Sequence, residues 1–91
     1  MNTSNKNDHK FPRFKIHRLK ICPIFFEKVC KGLKTAELRK ADRDYQINDI
    51  LILLEYNNDM YTGRTVQVKI IDICDVDQYA PNYLLLSIKL V

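Results

Sequence analysis

The sequence predicts an α+β fold in which one early helix is combined with about five strands that curl into a small β-barrel. Apolar residues first recur at helical spacing, beyond residue 22, and then alternate with a period of two from residue 35 onward. The chain has 91 residues, which suffice for one modest core and one domain. A sheet this small with long apolar strands would expose costly edges unless it curled.

The first two predicted elements are a short strand and a helix. Residues 16–21 alternate between two faces, as a strand does. The apolar residues that follow share one helical face at spacings of three and four: Cys22, Phe25, Phe26, Val29, Cys30 and Leu33. Pro23 suits the first helical position, and Gly32 suits the left-handed residue beyond the last turn. We therefore expect a helix of about 8–10 residues.

Four further strands are predicted along the rest of the chain. Residues 35–39 alternate in polarity, and residues 50–54 are apolar on both faces, which is typical of a central strand. Turn-forming residues between 57 and 63 predict a hairpin. The strand at 65–73 slips in phase, which indicates a bulge that would help the sheet to curl. Tyr83–Leu90 alternates regularly and is expected to close the sheet.

The charge of the chain is concentrated at one end. The net charge is +4, but residues 1–20 carry +5 and the remaining residues carry −1. We expect residues 1–14 to form a flexible basic N-terminal tail and residues 15–91 to form the domain. The tail is compatible with an arm that touches a polyanion and with a solubilising segment that has no partner.

Several classes of protein are not favoured. The longest apolar run, 50–54, is far too short for a membrane helix, and no signal peptide is apparent. Three cysteines without a C-x-x-C pair favour neither a disulfide framework nor a zinc site: Cys22, Cys30 and Cys74. Three aspartates form a weak candidate for a divalent cation: Asp72, Asp75 and Asp77. We expect a cytoplasmic protein without a metal or a cofactor.

The densest group of charged residues lies in segment 34–43 and contains Lys34, Thr35, Glu37, Arg39, Asp42 and Arg43. Strand alternation places Thr35, Glu37 and Arg39 on one face. Two cations around a carboxylate suit an anionic or amide-rich ligand such as a nucleotide. The competing interpretation is a solvated strand face with ordinary surface ion pairs. The five tyrosines are compatible with base stacking, but also with packing in the core or at its rim.

Several segments together resemble the ASCH domain family. Gly32, Lys34 and Arg39 fit its signature G-x-K-x-x-x-x-R. The surrounding matches are HRLK at 17–20, KADR at 40–43, NDI at 48–50 and YTGR at 61–64, which are similar to an uncharacterised phage and bacterial subgroup of that family. The resemblance covers about residues 15–90, in order and with matching spacing. Asn48 and Ala41 depart from residues that are common in the subgroup.

The resemblance implies a PUA-like fold, with a ligand cleft beside Lys34, and recognition of RNA or a modified nucleoside. The residues it suggests for ligand binding are His17, Lys20, Lys34, Thr35, Glu37, Arg39, Asp42, Arg43 and Arg64. Some small relatives are amidohydrolases that deacetylate N4-acetylcytidine, using the signature lysine with a threonine three residues later. Here Glu37 stands in place of that threonine, which weakens the enzymatic hypothesis.

Three functions therefore remain open at the level of the sequence. The first is a binding module for RNA or a nucleotide-like small molecule, monomeric and without a membrane partner. The second is a small amidohydrolase in which Lys34 and Glu37 would be catalytic. The third is a phage or mobile-element module whose partner is another protein. His17 on its own is more typical of a packing or hydrogen-bonding histidine than of a ligand.

Overall fold

Five strands and one helix follow one another in the computed structural model, which describes residues 13–91. The elements are β1 Ile16–Ile21, α1 Pro23–Cys30, β2 Ala36–Lys40, β3 Ile50–Asn57, β4 Met60–Asp75 and β5 Tyr83–Leu90. Most of the expected N-terminal tail, residues 1–12, lies outside the described residues. The predicted α+β class, with one early helix and five strands, is confirmed.

The strands form one sheet in the order β1-β3-β4-β5-β2. β1 runs parallel to β3, and all other neighbouring strands are antiparallel. The order leaves β1 and β2 at opposite edges of the sheet. The sheet curls into a half-barrel, so that Arg39 on β2 reaches the Lys20 carbonyl oxygen on β1, with an Nη2–O distance of 2.8 Å. We call the gap between these two edge strands the seam.

The core lies inside the curled sheet, around the central strand β3. Leu51 and Leu53 are fully buried, and their neighbours on β1 and β4 complete the same layer: Leu19, Ile21, Val68 and Ile70. Each such side chain contributes about 1.5–3 kcal/mol of transfer free energy. The opposite face of β3 is half-buried, in agreement with an apolar run that is covered on both sides.

Two predicted features of the sheet are present, a hairpin and a bulge. The hairpin between β3 and β4 turns at Asn58 and Asp59, whose φ angles of 51° and 61° are both left-handed, as a type I′ turn requires. The pairing of β4 with β5 shifts between Ile70 and Asp72, and Ile71 is left 48% exposed. The predicted phase slip is therefore a bulge.

Helix α1 has eight residues, starts at Pro23 as predicted and ends in a Schellman motif. Leu33 N–H donates to Lys28 O at 2.9 Å, and Gly32, at φ +72°, donates to Val29 O at 2.9 Å. Only Phe26 and Val29 of the predicted apolar face are buried; four residues of that face are exposed: Cys22, Phe25, Cys30 and Leu33. A helix of two turns resting on a small sheet covers only a narrow stripe of its surface.

Candidate functional site

Glu37 lies at the centre of the charged segment and is buried, with 4% of its surface exposed. The register of β2 with β5 sets it opposite the buried Leu86, so it faces the interior of the half-barrel. The Lys34 ammonium bonds Oε1 of Glu37. Arg39 Nε donates to Oε2 at 2.9 Å. The interpretation of this segment as a solvated strand face is therefore wrong for Glu37, whose carboxylate is inside the sheet, whereas Thr35, Asp42 and Arg43 are exposed.

Burial of an ionised carboxylate is costly unless partners replace the lost water. Lys34 and Arg39 supply those partners, and the Lys34 ammonium also donates to the Ala36 carbonyl oxygen. Both cations that the signature contributes are thus committed largely to Glu37. Within residues 13–91, Nη1 is the one nitrogen of the Arg39 guanidinium that makes no hydrogen bond.

The larger of two clefts along the seam has a volume of about 620 Å³. It lies between β1 and β2 and extends to the segment after β2. Its lining includes five cations, one carboxylate and three tyrosines: Arg18, Lys20, Arg39, Lys40, Arg43, Asp42, Tyr45, Tyr61 and Tyr83. The volume is within the usual range of ligand sites, and the charge of this surface is strongly positive. We call it the basic cleft.

Three cations of the basic cleft are available to a ligand. Within residues 13–91, Arg18, Lys40 and Arg43 are exposed and their side chains make no hydrogen bond or ion pair. The Lys20 ammonium instead lies 4.3 Å from the centre of the Tyr56 ring, in a cation–π contact. The cleft thus combines cations that have no partner in this part of the chain with exposed aromatic surface.

The tyrosines of the basic cleft differ in exposure. Tyr61 is 55% exposed, whereas Tyr45 is buried and packs against the His17 ring at 4.7 Å between ring centres. Burial raises the pKa of the Tyr45 hydroxyl, although Arg43 and Arg39 act in the opposite direction. That hydroxyl therefore stays protonated at neutral pH and retains a hydrogen to donate.

The smaller cleft has a volume of about 470 Å³ and lies beside the start of α1. It is lined by Lys20, Ile21, Cys22, Phe25, Lys34, Glu37, Leu38 and Arg39. The Lys34 ammonium is 5.6 Å from the centre of the Phe25 ring. We call it the Glu37 cleft, since the buried carboxylate is part of its lining.

Six of the nine predicted binding residues line these two clefts: Lys20, Lys34, Glu37, Arg39, Asp42 and Arg43. Thr35 lines a separate groove with Lys34, next to the end of α1 and to β5. His17 and Arg64 line neither cleft. Three other lining residues were not singled out from the sequence, because only the curl of the sheet brings them to the seam: Arg18, Lys40 and Phe25. Tyr61 was considered only as one of the five tyrosines compatible with base stacking.

His17 belongs to a buried hydrogen-bonded group and lines neither cleft. Its Nε2 lies 2.8 Å from Oδ2 of Asp49, a residue with no exposed surface. Asp49 also accepts from the backbone N–H groups of Lys15 and Gln46, at 2.8 and 2.9 Å. Burial raises the pKa of Asp49, but the bonds from His17 and from the two backbone groups outweigh it and hold that pKa below its usual value.

Arg64 fastens helix α1 to the sheet. Its Nη2 donates to Glu27 Oε2 at 2.8 Å, and its Nε is 3.4 Å from Oε1 of the buried Glu55. The guanidinium also lies 4.6 Å from the centre of the Phe26 ring, and Thr62 donates to Glu55 at 2.7 Å. The YTGR segment at 61–64 therefore contributes Tyr61 to the basic cleft and Arg64 to the helix contact.

No group of three or more metal-ligating side chains lies close enough together in residues 13–91 to hold a metal ion. Two of the three aspartates considered for a cation shape the loop before β5 instead: Asp75 accepts from the Asp77 N–H at 2.8 Å, and Asp77 accepts from the Asn82 N–H at 2.7 Å. All three cysteines are exposed and free. In the same part of the chain, no helix has the length and apolar character needed to cross a membrane.

Two comparisons with known proteins give a match to this chain. An uncharacterised 12.9 kDa protein from the GpA 3′ region of Escherichia phage P2 is 42% identical over 72 residues. The match covers 79% of this chain but 66% of the phage protein, so the chain spans just under two thirds of that relative. Residues 16–88 match the model of a family described as a domain of unknown function, DUF3850. The chain therefore belongs to the DUF3850 family.

Proposed function

We propose that this domain binds RNA or a nucleotide-like ligand, as an ASCH-type module with a PUA-like fold, and that the basic cleft is its ligand site. The observation that carries the proposal is the lining of that cleft: five cations and three tyrosines accompany one carboxylate. Cations bind phosphates, and exposed aromatic rings stack on bases whatever the sequence. The curled five-stranded sheet and the signature residues Gly32, Lys34 and Arg39 support the kinship with ASCH domains.

The cations expected to bind phosphate are not the ones that the signature indicates. Lys34 and Arg39 hold Glu37, so we assign the main phosphate contacts to Arg18, Lys40 and Arg43. Glu37 keeps the role of a hydrogen-bond acceptor. Together with Lys34 and Arg39 it gives the seam a fixed geometry.

The same geometry favours binding over amide hydrolysis. A general base needs a carboxylate oxygen free to take a proton from water. Oε1 of Glu37 accepts from Lys34 and Oε2 accepts from Arg39. A panel of acylated nucleosides, N4-acetylcytidine among them, should therefore show no turnover above that of Glu37→Gln.

The test is fluorescence anisotropy with a 5′-labelled single-stranded RNA of about 12 nucleotides, comparable with the site sizes of small single-strand-binding domains. The triple variant Arg18→Ala/Lys40→Ala/Arg43→Ala should bind at least 100-fold more weakly than the wild type. The affinity of this variant should also depend less on salt. In a plot of log K against log salt concentration, each lost phosphate contact on a single strand makes the negative slope shallower by about 0.7, so the loss of three contacts should make it shallower by about 2.

A charge-matched variant controls for net charge. Lys28, Lys31 and Lys69 are exposed and lie outside both clefts, so the triple replacement of these lysines by alanine removes the same charge. It should retain most of the affinity. Equal losses in the two triple variants would show non-specific attraction only and would overturn the proposed site. Absence of RNA binding by the wild type would favour a protein partner.

A further inference from the structure

We infer that the ligand unit is two consecutive nucleotides of a single strand, one in each cleft, with the phosphate that joins them above the ridge between the clefts. This inference rests on the proposed function and specifies its ligand.

The two clefts adjoin along the seam. Lys20, Leu38 and Arg39 line both of them, so these three side chains form a ridge with the basic cleft on one side and the Glu37 cleft on the other. A ligand that passes from one cleft to the other must cross this ridge.

The ridge is suited to a phosphate. Arg39 is held in place from two sides, because Nε donates to Glu37 at 2.9 Å and Nη2 donates to the Lys20 carbonyl oxygen at 2.8 Å. Within the described residues its hydrogen bonds are made by Nε and Nη2, so Nη1 remains to donate to a phosphate oxygen. Lys20 also lines both clefts, so the ridge carries a second cation. A guanidinium that is already fixed loses little freedom on binding.

The two compartments on either side of the ridge each offer surface for a base. In the Glu37 cleft, Phe25 is 45% exposed and Leu38 is 53% exposed, so a planar ring meets apolar surface there. In the basic cleft, Tyr61 is 55% exposed next to the free cations. Exposed aromatic side chains at separate points of one path are the arrangement on which successive bases of a single strand stack.

Two linked subsites predict a specific gain in affinity. A mononucleotide can occupy one cleft at a time, whereas a dinucleotide occupies both and its second contact is intramolecular. We therefore expect each 5′-phosphorylated dinucleotide to bind at least tenfold more tightly than the corresponding mononucleotide. A double helix cannot offer two unstacked bases and should bind weakly.

The experiment is isothermal titration calorimetry of the full chain with the four 5′-mononucleotides and the four 5′-phosphorylated homodinucleotides. Phe25→Ala should remove the dinucleotide gain, so that a dinucleotide binds this variant no more than about twofold more tightly than the mononucleotide, because the second base loses the aromatic surface of the Glu37 cleft. Ile24→Ala is the matched control: Ile24 is 62% exposed on the same helix and lines neither cleft, so this variant should keep the gain.

The outcomes separate this inference from the proposed function. Equal affinities for mononucleotides and dinucleotides would overturn the two-nucleotide unit while leaving the ligand class intact. The same conclusion would follow if Phe25→Ala kept the gain, or if the 12-nucleotide RNA bound and no dinucleotide did. Failure of every nucleotide and of the longer RNA to bind would overturn the proposed function itself.

Discussion

Arg39 joins the two edge strands of the sheet, because its Nη2 donates to the carbonyl oxygen of Lys20 at 2.8 Å across the seam. The same guanidinium holds the buried Glu37 through Nε, at 2.9 Å. A planar fork can serve two acceptors in different directions at once, which a single ammonium group on a flexible stem does less well. The seam of the half-barrel and the geometry of both clefts therefore depend on this one side chain.

The first prediction concerns that bridge. Arg39→Lys keeps the charge but cannot bond both Glu37 and the Lys20 carbonyl oxygen, so it should lower the free energy of unfolding by about 1.5–3 kcal/mol, the range for hydrogen bonds to charged groups. Urea unfolding followed by circular dichroism measures this change. Arg43→Lys, on an exposed residue without a bonding partner among residues 13–91, should stay within about 0.5 kcal/mol of the wild type. If the two variants unfolded at the same urea concentration, the stabilising role of Arg39 between the edge strands would be contradicted.

The second prediction concerns the glycine of the signature. Gly32 adopts φ +72°, and a β-carbon built there would meet no atom within 4 Å. Glycine is thus required by the left-handed backbone and not by close packing. Gly32→Ala should lower the free energy of unfolding by about 1–2 kcal/mol, and Gly32→Asn by less, because asparagine tolerates this conformation better. Thermal melting of both variants checks that alanine lowers the stability more than asparagine does. An alanine variant as stable as the wild type would contradict the view that the left-handed backbone requires glycine here.

The third prediction concerns the attachment of α1. Arg64→Ala removes the contacts of the guanidinium with Glu27, Glu55 and the Phe26 ring. Amide hydrogen exchange should become faster in Pro23–Cys30 while the protection of β3 changes little, since local opening need not involve the central strand. Arg18→Ala, which removes an exposed arginine that bonds no described residue, should leave helix protection unchanged. Uniform loss of protection throughout the sheet would argue against a local fastening role.

Much of the fold could be predicted because its strands have a clear period. Residues 50–54 are apolar on both faces and form the middle of β3, between β1 and β4. Tyr83–Leu90 alternates cleanly and forms β5 with the predicted bounds. The pairing of β1 with β3 could not be predicted, because neighbours in a sheet that are distant in sequence are selected by tertiary packing.

The site could be predicted only in part, for a related reason. Alternation puts Glu37 and Leu38 on opposite faces of β2 but does not say which face is inside. Hydrophobicity alone would bury Leu38, yet Leu38 is 53% exposed and Glu37 is 4% exposed. Lys34 and Arg39 offset the cost of that burial, and their pairing is a tertiary fact that sequence spacing does not reveal. For the same reason the sequence did not indicate Asp49 as the partner of His17.

The last prediction follows from that partnership. Asp49 accepts hydrogen bonds from His17 and from the backbone N–H groups of Lys15 and Gln46. Asp49→Asn should lower the free energy of unfolding at pH 7 by about 1–3 kcal/mol, since an amide cannot accept all three bonds and places an N–H₂ group against donors.

The pH dependence of this loss has a definite sign. Because the folded state holds the pKa of Asp49 below its ordinary value of 3.8, the carboxylate contributes stability that is fully present above that value. The contribution is lost as the pH falls through the lower pKa of the folded state. The difference in unfolding free energy between wild type and Asp49→Asn should therefore narrow in urea titrations as the pH falls from about 5 towards about 3. Asp72→Asn, at an exposed carboxylate that accepts no hydrogen bond within residues 13–91, should follow the wild-type curve, because no native contact depends on its charge. A difference for Asp49→Asn that is as large at pH 3 as at pH 7 would mean that Asp49 acts through packing and not through its charge.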